Sequence, residues 1–117
     1  MAYVDGFVIP VPKKNLAAYR RMSKQAGKVW KGYGALEYRE CAGDDLVGMG
    51  GLFPKMTKLK KNETVVFSWI VYKSKAHRNA VNKKVMKDAR IARMMKQPMP
   101  FDDKRMAFGG FKTIVDM

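Results

Sequence analysis

This 117-residue chain is short of several things. It has one cysteine, Cys41, and one histidine, His77. No internal disulfide can form, and a lone thiol with a lone imidazole cannot make the usual zinc site, so no metal is expected. Long apolar runs are missing too. None approaches the roughly 20 residues a helix needs to cross a bilayer. Asp5 interrupts the first apolar segment and no basic stretch precedes it, unlike a secretory leader. The expectation is a cytoplasmic protein without membrane association. Acids are scarce: 10 Asp and Glu stand against 24 Lys and Arg, a net charge of +14. Such a surface draws anions of every kind, and it speaks to association rather than to fold.

What is present is an ordinary globular composition, 47% hydrophobic. The length fits one domain over residues 1–117, able to bury roughly two-thirds of its unfolded surface.

The first segment, YVDGFVIPV (3–11), is rich in β-branched and aromatic residues and ends at prolines. It reads as a strand with Tyr3, Asp5, Phe7 and Ile9 on one face. In the next stretch, Leu16, Tyr19, Met22, Ala26 and Val29 recur every three or four residues, an amphipathic helix stopped near Gly32 and Gly34. ALEYRECAG (35–43) alternates as a strand, with Leu36, Tyr38 and Glu40 on one face and Glu37, Arg39 and Cys41 on the other. A turn-rich GDDLVGMGG follows. It lacks the GK[ST] of a phosphate loop, and Asp44 and Asp45 suit turn capping. Phe53 to Leu59 reads as a short irregular strand, marginal because of Pro54.

TVVFSWIVY (64–72) is the strongest strand, apolar except for Ser68, and suits a central position. Residues 74–95 read as a second helix with Ser74 as N-cap and a narrow stripe of Ala80, Val81 and Val85. Residues 104–115 read as the last strand. The order β-α-β-β-α-β is that of the ferredoxin-like α+β arrangement, a four-stranded antiparallel sheet with both helices on one face. The opposite face is left apolar, and a second copy of the chain is the simple cover, giving a homodimer.

YVDGF, ECAGDD, VVFSWIVY with Arg78 just after, and MPFDDKRMAFGGF near the end together resemble the YbaA-like family, bacterial proteins of unknown function. The resemblance implies membership of the dimeric α/β-barrel superfamily, with two sheets packed as a barrel, and it implies no established activity. Two positions depart from the family pattern as proline sites: Lys73 after the third strand and Ala89 after Asp88. The superfamily also includes small monooxygenases that work without a conventional cofactor. Their haem-degrading branch places an Asn on the first strand, a Trp on the third and a His on the second helix. Asp5, Trp69 and His77 fall on the corresponding elements here, without the surrounding motifs. No cofactor is expected.

Asp5 is the candidate catalytic group. A carboxylate inside an apolar strand must be paired, hydrogen-bonded or protonated. Two roles are open: pairing with Arg105 or a tyrosine hydroxyl, or service as a pocket carboxylate. Trp69 is either core or a pocket wall. Gly6, Gly109 and Gly110 remove side chains from what should be neighbouring strands, a gap that permits a bulge, a close helix or dimer approach, or a bound ligand, and the candidate ligand-binding residues are Asp5, Gly6, Trp69, His77, Arg105, Phe108 and Gly110. Met94, Met95, Met99 and Met106 gather near the last loop as core filling or a plastic rim. The functional expectation is a homodimeric small-molecule-binding protein or cofactor-independent enzyme, monooxygenase- or isomerase-like, with a pocket between sheet and helices. The alternatives are a protein that binds RNA or other polyanions weakly through basic helix faces, and a non-catalytic interaction protein.

Overall fold

A computed structural model describes residues 1–117. The strands are β1 (Tyr3–Pro12), β2 (Glu37–Ala42), β3 (Glu63–Tyr72) and β4 (Ala107–Lys112), and the helices are α1 (Leu16–Gly32), α2 (Leu52–Met56), α3 (Lys75–Met86) and α4 (Ala89–Met95). The sheet runs β2-β3-β1-β4. All neighbours are antiparallel, with Asp5 opposite Ile70 and Gly110, and Phe7 opposite Ser68 and Phe108. This is the ferredoxin-like α+β arrangement read from the sequence.

Register sorts the sheet into two faces. The odd positions of β1 share a face with Tyr38, Glu40, Ser68, Ile70, Tyr72 and Gly110. On that face Ile70 and Tyr72 pack with Ala26 and Val29 of α1, Val81 and Val85 of α3, and Ile91 of α4. A second cluster joins Ile9, Val11, Tyr19 and Val66. Helix α1 comes so close to β2 that a Cβ on Gly27 would lie 2.7 Å from the Tyr38 ring.

Four expectations need correction. Residues around Phe53 form the helical turn α2, not a strand. Pro54 sits in its first turn, where an N–H has no helical partner to lose, and Thr57 Oγ1 donates back to the Phe53 carbonyl at 2.8 Å. Residues 74–95 form two helices. Asp88 is extended and caps α4 by accepting from the Arg90 N–H at 2.8 Å, so Ala89 occupies the first helical position, where proline is favoured. Ala80 faces solvent, outside the Val81–Val85 stripe. The last strand starts only at Ala107, because Asp102 caps a 3-10 turn over Asp103–Arg105.

The other sheet face carries Val4, Gly6, Val8, Phe67, Trp69, Val71 and Phe111. Phe53 of α2 reaches its edge, with ring centroids 6.4 Å from Phe67. No helix of the chain is long and apolar enough to cross a membrane.

Candidate functional site: a methionine-lined cleft

Between the helix-side sheet face and the helices lies a cleft of about 500 Å³. Its floor comes from alternate residues of the strands, Asp5, Phe7 and Ile9 of β1 with Glu40, Ser68 and Phe108. Its walls are Tyr19, Met22 and Trp30 of α1, Arg78 and Asn82 of α3, and Met94 and Met95 of α4. Met99, Phe101 and Met106 close the rim. That rim is tethered: Asn15 Nδ2 donates to the Pro100 carbonyl at 3.0 Å, and Phe101 meets the Tyr19 ring edge-on at 5.7 Å. The flexible thioethers give a lining that adapts its shape.

Two polar groups interrupt the apolar lining. At one, Glu40 accepts from Tyr19 Oη at 2.7 Å and from Tyr38 Oη at 3.0 Å. Burial pushes the Glu40 carboxyl above its ordinary value, against hydrogen bonds from Tyr19, Tyr38 and Ser68 that pull it down. Burial, followed by the Glu40 charge, pushes both phenols well above the usual tyrosine range. Such a carboxyl can hold or hand on a proton to a molecule in the cleft, with the two phenols fixing its orientation.

At the other, Arg78 Nη1 donates to Asp5 Oδ1 at 3.1 Å and Nη2 donates to Tyr3 Oη at 3.4 Å. The guanidinium lies over the Tyr3 ring, 4.9 Å from its centroid. Nearby, Asn82 Oδ1 accepts from Trp30 Nε1 at 2.9 Å and Tyr72 Oη at 3.2 Å. Burial first, and the Asp5 charge second, raise the Tyr72 phenol. With strands about 4.8 Å apart, the Asp5 and Glu40 main chains lie roughly 11 Å apart across β3.

Residues 2–103 match the family described as Protein of unknown function (DUF1428). The chain belongs to this family. It is 46% identical over 117 residues to Uncharacterized protein YbaA of Escherichia coli (strain K12), with 99% of each chain covered. The same identity and coverage hold for Uncharacterized protein YbaA of Shigella flexneri. In fold it is similar to an uncharacterized NIPSNAP domain protein from Burkholderia xenovorans, with a TM-score of 0.62, 12% identity, and 95% and 93% of the two chains covered. It is also similar to Rv0793 from Mycobacterium tuberculosis, with a TM-score of 0.58, 11% identity, and 99% and 98% covered.

In this DUF1428 chain the residues picked out from sequence are divided between places. Asp5, Phe108 and Gly110 lie on the cleft side. Gly6 is opposite Gly109 and Trp69 on the other face, so Gly6 and Gly110 do not border one space. Phe111 covers Gly6, with its Cε1 3.3 Å from where a Cβ would stand. Trp69 turns its ring to that face too, where Nε1 donates to Glu37 Oε1 at 2.9 Å and Arg39 lies 5.9 Å from the ring centroid. His77 lies outside the cleft: its Nδ1 accepts from the Lys73 N–H at 3.0 Å and its ring meets the edge of Tyr72. Asp5 and Trp69 both border the cleft, but with the Trp69 ring on the other face and His77 outside the cleft the three side chains form no common site. Arg105 pairs with Asp102 and Glu63, and not with Asp5 as one expectation had it.

Glu40, Tyr19, Tyr38, Ser68, Arg78 and Asn82 were not among the candidates. For Glu40 the signal was there: the β2 alternation puts an acid on the inward face beside Tyr38. Arg78 offered none beyond its place in the family motif.

Proposed function

We propose that this protein is a homodimer that takes a small, largely apolar molecule into the cleft, with Glu40 exchanging a proton with it and no cofactor required. The observation that carries this reading is Glu40 itself, a carboxyl with raised proton affinity gripped by two tyrosines in the floor of an open apolar cleft. Pockets of this size and lining are where small ligands bind, and displaced carboxyl pKa values concentrate at functional sites. Asp5 stands second to Glu40, because Arg78 already occupies it. The second copy covers the open sheet face of Val4, Val8, Phe67, Trp69, Val71 and Phe111.

The test is native mass spectrometry of protein purified gently from its own cells, alongside a Ser68→Leu variant that fills the floor. The expected result is a small-molecule adduct on the wild type that the variant lacks. An unliganded wild type that also fails to take up hydrophobic dyes overturns the reading.

A second reading has its own observation. No acid lies between Lys13 and Leu36, and Asp88 is the sole acid from Lys73 to Phe101. A groove between α1 and α4 carries Arg21 and Lys28 on one wall and Arg90 and Arg93 on the other. This favours weak polyanion binding through phosphates, with affinity falling steeply as salt rises. Undetectable binding of single-stranded RNA at low salt sinks it.

A further inference from the structure

We propose that Arg78 is an anion subsite at one end of the cleft, and that the molecule bound there is a monocarboxylate with an apolar body. This rests on the cleft being a ligand site and names the class of ligand.

Arg105 provides an internal comparison. It uses four of its five donors. Its Nε donates to Asp102 at 3.1 Å, its Nη1 to Glu63 at 2.9 Å and to the Lys58 carbonyl at 3.3 Å, and its Nη2 to Glu63 at 2.6 Å. One guanidinium thus serves two carboxylates at once. Arg78 has the same five donors but only the 3.1 Å bond to Asp5 and the longer one to Tyr3. Its Nε is buried with no acceptor, the one buried side-chain nitrogen or oxygen left so in the molecule. Buried donors are rarely left unmet, because the desolvation cost is then uncompensated. Arg78 lines the cleft and its side chain is 22% exposed, so a ligand oxygen can meet the Nη hydrogens left over from Asp5 and Tyr3 on this under-satisfied guanidinium.

The setting selects the head group. The Tyr3 ring under the guanidinium and the buried Asp5 hold the fork in place. A planar, two-oxygen carboxylate matches that fork. Because Asp5 already offsets the arginine charge, a monoanion is accommodated where a phosphate dianion meets repulsion. Beyond Arg78 the cleft offers Phe7, Met22, Met94, Phe101 and Met106, which suit a hydrocarbon or aromatic body. At Glu40 burial already disfavours negative charge. A second carboxylate at that end is therefore disfavoured, whereas a hydroxyl or carbonyl can share the Glu40–tyrosine hydrogen bonds.

The experiment compares octanoate with 1-octanol by titration calorimetry at physiological salt, on the full chain. Octanoate is expected to bind about tenfold tighter or better, the worth of one charge-assisted pair. In the double variant Asp5→Asn with Arg78→Met, which removes both charges so that neither is stranded, the preference falls to about one. Arg78→Lys keeps the charge next to Asp5 and deletes the Nε donor. It lowers the preference at least threefold and serves if the double variant does not fold. Equal binding of acid and alcohol to the wild type overturns the subsite and leaves the cleft reading standing. A preference that survives in the variants assigns it to general surface charge and also overturns the subsite. Binding of neither compound removes the subsite, and with hydrophobic dyes also excluded it removes the cleft reading too.

Discussion

Tyr19 Oη, on the first helix, donates to Glu40 Oε1, on the second strand, at 2.7 Å, and Tyr38 Oη donates to the other carboxyl oxygen at 3.0 Å. Both pull the carboxyl toward ionisation, and burial outweighs them. Because the folded-state pKa lies above the unfolded one, Glu40 costs nothing below about pH 4.5 and becomes a penalty as pH rises through the folded value. Glu40→Gln removes that dependence. The thermal midpoint of the variant relative to wild type should therefore rise between about pH 4.5 and neutrality. Melting curves in that window check it; a constant difference contradicts the raised pKa.

The opposite sign applies to Glu63. Arg105 holds its carboxyl down to about 2, so the pair stabilises fully above about pH 4.5 and its contribution fades as pH falls toward 2. The two side chains are only 16% and 7% exposed. Arg105→Met should cost about 2 kcal/mol at neutral pH, since it strands a shielded carboxylate. Urea unfolding at pH 7 and pH 3 should show the gap between variant and wild type narrowing in acid.

The glycines differ sharply in what they tolerate. A Cβ on Gly110 would sit 2.7 Å from Tyr3 Cε2, and Tyr3 is itself pressed beneath Arg78. Gly110→Ala should cost about 1–3 kcal/mol by overpacking. At Gly6 the neighbour is the Phe111 ring, 3.3 Å from the added Cβ, a milder contact that a few tenths of an ångström of ring movement relieves. Gly6→Ala should fall within about 0.5 kcal/mol of wild type. Denaturant midpoints of the two variants, measured side by side, decide it.

Phe67, 46% exposed in the single chain, sits on the open sheet face beside Trp69, with ring centroids 5.5 Å apart. Phe67→Lys places a charge in the middle of that patch. Light scattering at micromolar concentration should give twice the chain mass for wild type and one chain mass for the variant, with circular dichroism unchanged. A monomeric wild type defeats the homodimer.

Local signals were legible where the period was clean. The alternation of β1 put Asp5 on the helix face, and the 3.6-residue stripe of α1 placed Tyr19, Ala26 and Val29 inward. The break at Asp88 was harder to see, because Ala89 does not interrupt helical propensity and the cap that ends the pattern is a single aspartate. Phe53 to Leu59 misled because Pro54, a poor strand residue, is harmless in the first turn of a helix. Glu40 was visible as an inward-facing acid, but its role depends on a tyrosine 21 residues away.

The sequence by itself determined the order of the four strands and the two main helical segments, and with it the antiparallel α+β sheet, since these follow from periodicity within a few residues. Which side chains meet across the fold was decided only by tertiary structure. Asp5 is claimed by Arg78, 73 residues away, while Arg105 goes to Glu63. Gly6 and Gly110, both near Asp5 in the sheet, end on opposite faces because a one-residue step in register reverses the side chain. Charge and hydrogen-bonding capacity are written in each residue. The partner that answers them is fixed by how strands and helices dock, and that docking leaves one buried donor of Arg78 without an acceptor.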